Sequence, residues 1–139
     1  MNINILVAII ALVSAILGAV VTAIVNYRFQ QRAEIREKQR AVYFDFLDAL
    51  QSFKNSSKEE DFYRFQNAVN AICLYGDNKT SLAVKSYFDA LVKTTNDGRI
   101  FQAEKCVAYE TKIINAMRGN FNLKEFDRYV MVKFGMKND

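Results

Sequence analysis

The chain has 139 residues, a formal charge of +4, two cysteines, and no histidine, proline or tryptophan; that length allows one domain plus an attachment. Without histidine there is no Ser-His-Asp triad, no His-ligated zinc and no imidazole base. Cys73 and Cys106 are too few for a disulfide framework or a four-thiolate metal site. The absence of proline, with only five glycines, argues against a turn-rich β fold.

The first element is apolar. Residues Ile3 to Val25 carry no charge, and only Asn4, Ser14 and Thr22 are polar. At helical rise these 23 residues span roughly 34 Å, enough for a hydrocarbon core of about 30 Å. The rival is a cleavable signal peptide, with Val21-Thr22-Ala23 loosely like a cleavage site. No positive residue precedes the run, however, and it is too long for a signal-peptide core. The sequence therefore predicts an uncleaved transmembrane anchor over residues 1–26. Cations follow it at once, so the positive-inside rule puts the short N-terminal tail outside and the rest in the cytoplasm of a bacterial inner membrane.

Within the span the residues are sorted by size. Ala11, Ser14, Ala15, Gly18, Ala19, Thr22 and Ala23 are small, and every other position from 12 to 24 is Leu, Ile or Val. The rows 11/15/19/23 and 14/18/22 lie side by side on one helix face. In lipid, close backbone approach on small residues drives helix association. This face predicts a homo-oligomer; packing on a different membrane partner, or no specific packing, are the other readings.

A basic juxtamembrane helix is expected over residues 27–54. Arg28, Arg32, Arg36, Lys38 and Arg40 form a collar, offset in part by Glu34 and Glu37, so that residues 26–40 carry net +3. One reading is a topology signal that binds anionic lipid head groups. A second is a positive ring at the mouth of an oligomer, able to attract anions, nucleotides or nucleic acid. A third is a solvated face or one matching an acidic patch on a protein partner.

No glycine or proline lies between Gly18 and Gly76, so one helix can run from the membrane to about Phe53. Residues 55–139 complete the cytoplasmic part. Ser57-Lys58-Glu59-Glu60 reads as a capping box opening a second helix, with Phe62, Phe65, Val69 and Ile72 on its apolar stripe and Gly76 at its end. Asp77-Asn78-Lys79-Thr80 reads as a turn, before a third helix from Ser81 to about Thr94 with Val84, Phe88 and Leu91 inward. After Asn96-Asp97-Gly98, a fourth helix from about Ile100 to Arg118 buries Cys106, Tyr109, Ile113 and Met117 and stops at Gly119. Asn122-Leu123-Lys124-Glu125 resembles another capping box, for a short last helix ending near Gly135. The expected fold is all-α: a transmembrane helix continuous with a long juxtamembrane helix, then an antiparallel bundle of four to five helices. Phe44, Tyr63 and Tyr87 fall on the outer side of their helices, and Cys73 and Cys106 are expected as buried free thiols.

The sequence contains no Walker A run, G-x-G-x-x-G or C-x-x-C motif, and Glu59-Glu60-Asp61 is explained by its place in a first helical turn. Arg118 has no histidine after it, as a helical nuclease of the HEPN class would need. No catalytic residue, metal ligand or cofactor site is expected.

The segments Glu34-Ile35-Arg36-Glu37-Lys38-Gln39-Arg40-Ala41-Val42-Tyr43, Ile72-Cys73-Leu74-Tyr75-Gly76 and Ile114-Asn115-Ala116-Met117-Arg118 follow an N-terminal anchor. In this order the chain resembles a broad group of uncharacterised bacterial single-span proteins with a cytoplasmic helical bundle. Its layout is also similar to that of the single-span pore-forming accessory protein of type VI CRISPR systems. That resemblance implies an oligomeric pore in antiviral defence. From the residues themselves the expectation is a self-associating membrane effector. The alternatives are a tethered scaffold that recruits a cytosolic protein, or a nucleotide or nucleic-acid sensor at the membrane.

Overall fold

A computed structural model describes residues 2–56 and 58–130. Among these the chain is all-helical, with no strand and four helices: α1 (Ile3–Asn55), α2 (Glu59–Tyr75), α3 (Asn78–Asn96) and α4 (Ala103–Asn120). The chain divides into two units, Met1–Glu37 and Lys38–Asp139. The division falls inside α1.

The first unit is helix alone. From Ile3 onward every residue is helical, as expected of a stretch without proline and with a single glycine. All of its described side chains are exposed.

The second unit has one core. The end of α1 contributes Tyr43, Phe46, Ala49 and Leu50; α2 adds Phe65, Ala68, Val69 and Ile72. From α3 come Thr80, Ala83, Val84 and Tyr87, and from α4 Glu110, Ile113, Ile114 and Met117. Each set recurs at three- and four-residue spacing, which keeps it on one helix face. Phe65 is the hub: its ring stacks on Phe53 at 5.0 Å and lies 5.8 Å from Phe46, 6.0 Å from Phe88 and 6.5 Å from Tyr87.

Tyr87 corrects the sequence reading. It is 1% exposed, not on the outer side, because the buried face of α3 is centred on Ala83, Val84 and Tyr87, with Phe88 and Leu91 only partly covered. Burial pushes its hydroxyl well above the ordinary tyrosine range, with Cys106 and Glu110 adding to the effect. Phe44 and Tyr63 are exposed as expected, and Phe62 is at the margin. Cys73 is exposed rather than buried, since the inward stripe of α2 ends on Ile72. Cys106 is half-buried, its sulfur 3.8 Å from the Tyr87 hydroxyl.

The connections explain the remaining differences. At the start of α2, Lys58 is the N-cap and offers no side-chain cap; Ser57 lies outside the described residues. α3 begins at Asn78, three residues before the expected start, because Asp77 caps it: its Oδ2 accepts from the N–H groups of Lys79 and Thr80 at 3.0 and 3.3 Å. Gly76 sits at φ −70°, so its role is space rather than a left-handed turn. A Cβ there would stand 2.5 Å from the Ile72 carbonyl oxygen and 3.1 Å from Ser81 Oγ.

α3 and α4 close with the same device. Arg99 N–H reaches Thr94 O and Gly98 N–H reaches Thr95 O, with Gly98 at φ +65°. Leu123 N–H reaches Arg118 O and Asn122 N–H reaches Gly119 O, with Asn122 at φ +57°. Both are Schellman motifs. Asn122 therefore ends α4 instead of opening a new helix, and Gly119 lies inside the last turn. Residues 123–130 are not helical, which corrects the expected short helix as far as the described residues go; 131–135 lie outside them. α4 itself takes up that segment's polar groups. Asn115 exchanges two 2.8 Å hydrogen bonds with the backbone of Phe126, Thr111 Oγ1 accepts from Tyr129 N–H at 3.0 Å, and Arg118 Nε donates to Lys124 O at 2.6 Å.

Candidate membrane segment and charged collar

α1 is long and apolar enough to cross a membrane, and none of its apolar window is buried by the rest of the chain. Exposure is high throughout, from 76% at Ile3 to 43% at Val25. A Leu, Ile or Val left this open to water forgoes about 1 kcal/mol or more, so a run of this length needs a cover.

Ala11, Ser14, Ala15, Gly18, Ala19, Thr22 and Ala23 are all exposed. A Cβ on Gly18 would meet nothing within 4 Å. The Thr22 hydroxyl donates to the Gly18 carbonyl at 2.8 Å, so this polar group is satisfied inside its own helix. Two features after the apolar run do not emerge from hydropathy alone. Tyr27 and Phe29 are 61% and 66% exposed, and Gln31 donates to the Tyr27 hydroxyl at 2.7 Å. Aromatic residues just beyond an apolar helix are the usual interfacial anchors, a signal legible in composition.

The collar separates into two sets. Arg28, Arg32 and Arg36 belong to the first unit, are exposed, and enter none of the ion pairs among the described residues. Lys38 and Arg40 belong to the second unit and lie over aromatic rings: Lys38 Nζ is 4.3 Å from the Tyr75 centroid and the Arg40 guanidinium 5.7 Å from that of Phe121. The stripe of like charges is thus continuous in sequence but not in environment. α1 is unbroken here, so Arg32 and Arg36 stand five whole turns beyond Ser14 and Gly18, about 27 Å along the same line of the helix surface.

Next to Lys38 and Arg40 a polar network gathers three elements of the second unit. The Tyr43 hydroxyl donates to Asp77 Oδ1 at 2.6 Å and accepts from Asp77 N–H and Asn120 Nδ2, each at 3.2 Å. Asn120 also donates to Gln39 Oε1 at 3.0 Å. Burial raises the Tyr43 hydroxyl above its ordinary value and keeps it a donor. Burial also works to raise Asp77, but the hydrogen bonds its carboxylate accepts, from the Tyr43 hydroxyl and the backbone N–H groups of Thr80 and Lys79, outweigh it, so Asp77 lies below its ordinary value.

For chemistry the described residues offer little. No group of three His, Cys, Asp or Glu side chains among them could hold a metal. A cavity of about 460 Å³ lies between α3 and α4, lined by Ala83, Ser86, Ala116 and Gly119 together with Lys79, Lys112 and Glu125. No protein-family model, curated protein or solved structure matches this chain.

Proposed function

We propose that this chain is a non-enzymatic, single-pass membrane protein that self-associates through its apolar helix and acts as a membrane effector. The observation that carries the reading is α1: its apolar stretch is helical throughout, open on every side, and has a small-residue face with free space at Gly18. Lipid covers such a helix, and a second copy can approach closely at Ser14, Gly18 and Thr22. Arg28, Arg32 and Arg36 favour a cytoplasmic position for the residues that follow, with anionic head groups as their counter-charge. The cytoplasmic unit is then an antiparallel helical bundle that responds to a trigger and alters the bilayer, by a pore or by disruption. That role fits antiphage defence in a bacterial inner membrane.

A second reading, a tether that recruits a cytosolic protein, is favoured by apolar side chains open on the helical unit. Phe44, Leu74 and Leu82 are 67%, 76% and 64% exposed, and such residues serve partner surfaces.

The test is the mass of the full chain in lipid nanodiscs, with Gly18→Ile beside the wild type. The expected result is a discrete oligomer for wild type and a monomer for Gly18→Ile, with unchanged helix content, because a side chain at Gly18 meets nothing within the chain. Dye release from anionic vesicles should then follow the oligomer. Monomers in both would overturn self-association and leave the tether.

A further inference from the structure

We infer that Lys54 and Glu110 form a releasable latch that closes the end of α1 onto α4. Lys54 Nζ lies 2.5 Å from Glu110 Oε1, and the two side chains are 15% and 1% exposed. The other ion pairs of this unit differ in kind: Arg64–Asp48, Lys85–Asp89 and Arg128–Glu104 all have partners more than half exposed. Glu110 Oε2 is buried and has no hydrogen-bond partner among the described residues. One oxygen of a carboxylate in the core is therefore satisfied by a lysine, and the other by nothing.

That arrangement decides its energetics. Removing two charges from water is costly, and their attraction offsets this only when the remaining lone pairs are also satisfied. Here they are not. Separating the pair hands both charges back to water, so opening at this point recovers the desolvation that closing imposed. Lys54 stands in the last turn of α1, next to the exposed Asn55, so little chain has to move. Apart from Lys54, the end of α1 is held by Phe53, stacked on Phe65 and 5.9 Å from Phe62, and by an exposed 3.4 Å hydrogen bond from Arg64 to Ser52 Oγ. Further back, Phe46 and Leu50 are fully buried and resist opening. The latch therefore frees the terminal turns of α1 without melting the core. α1 also carries the apolar segment, so the latch is a point at which the helical unit can regulate the proposed effector. That last step rests on the reading above; the latch itself does not.

The test is hydrogen exchange on the full chain in lipid nanodiscs, comparing wild type with Lys54→Met and with Lys54→Met/Glu110→Met. In the double variant, with no charge left to hydrate, amides 51–55 should exchange about tenfold more slowly, while 65–72 in the core of α2 change little. In Lys54→Met, which strands the carboxylate, the same amides should exchange faster, or the unit should lose its cooperative transition. Unchanged or faster exchange at 51–55 in the double variant overturns the latch. So does slowing spread equally over 65–72, or failure of the double variant to fold, since the pair would then be a fixed part of the core. Neither mass nor dye release enters this readout, so its failure is distinct from failure of the membrane-effector reading.

Discussion

Truncating Phe65 removes the ring on which the helical unit converges. The side chain is fully buried and in ring contact with Phe46 and Phe53 of α1 and with Tyr87 and Phe88 of α3. Phe→Ala in a packed core costs about 3–5 kcal/mol, and each aromatic pair adds about 0.5–1.5 kcal/mol beyond its area. With four pairs lost and neighbours on two helices unable to collapse inward together, Phe65→Ala belongs near the upper figure. A domain of this size has about 5–15 kcal/mol in total, so between a third of its stability and all of it disappears. The assay is urea unfolding of the full chain in a mild detergent, followed by tyrosine fluorescence. With a slope of about 2 kcal/mol per molar, the midpoint should fall by roughly 2 M. Phe44→Ala, at a site 67% exposed, should move it by less than about 0.5 M. Equal shifts from the two substitutions would refute the placement of the core.

Two further substitutions test the connections between helices. Gly76→Ala places a Cβ 2.5 Å from a backbone oxygen that cannot swing away; the connection must shift, and a loss of more than about 1 kcal/mol is expected by the same assay, against none for Gly119→Ala, whose Cβ meets nothing. Asp77 tests pH dependence. Its folded value lies below its ordinary 3.8, so its contribution is fully present above about pH 4 and is lost as pH falls through the lower folded value. The wild-type midpoint should therefore drop more steeply with acid than that of Asp77→Asn, and identical slopes would contradict the hydrogen-bond account.

Helix existence was legible because the chain lacks proline and repeats its apolar residues at helical spacing: Phe65, Val69, Ile72, Val84, Ile113 and Met117 were all found from the stripe alone. What could not be read depended on neighbours. Asp77 looks like a turn residue locally and becomes a cap only once α3 starts beside it. Asn122 fits a capping box by type, yet the backbone uses its tolerance of a left-handed conformation, and Asn115 and Thr111 take up the polar groups a further helix would have satisfied. Tyr87 reads as outward from its place on the helix, although it sits in register with the buried face of α3; Glu110, which no motif singles out, is four residues from Cys106 and three from Ile113, a position whose charge only its lysine partner explains. In the candidate site, the small face and the arginine row were legible as periodicities, whereas the engagement of Lys38 and Arg40 with Tyr75 and Phe121 required the folded chain.

The phase of α1 carries a consequence of its own. Arg32 and Arg36 share their line on the helix surface with Ser14 and Gly18, so any parallel copy that meets the lower pair is brought toward the upper pair as well. If copies gather in a bilayer as proposed, attraction within it and repulsion in the water beside it are two ends of one helix. Ionic strength acts on only one of them. Salt that leaves the apolar contact untouched would screen the repulsion between like charges, and in such an oligomer the balance between separate and gathered copies would depend on the solution beside the membrane as much as on the lipid within it.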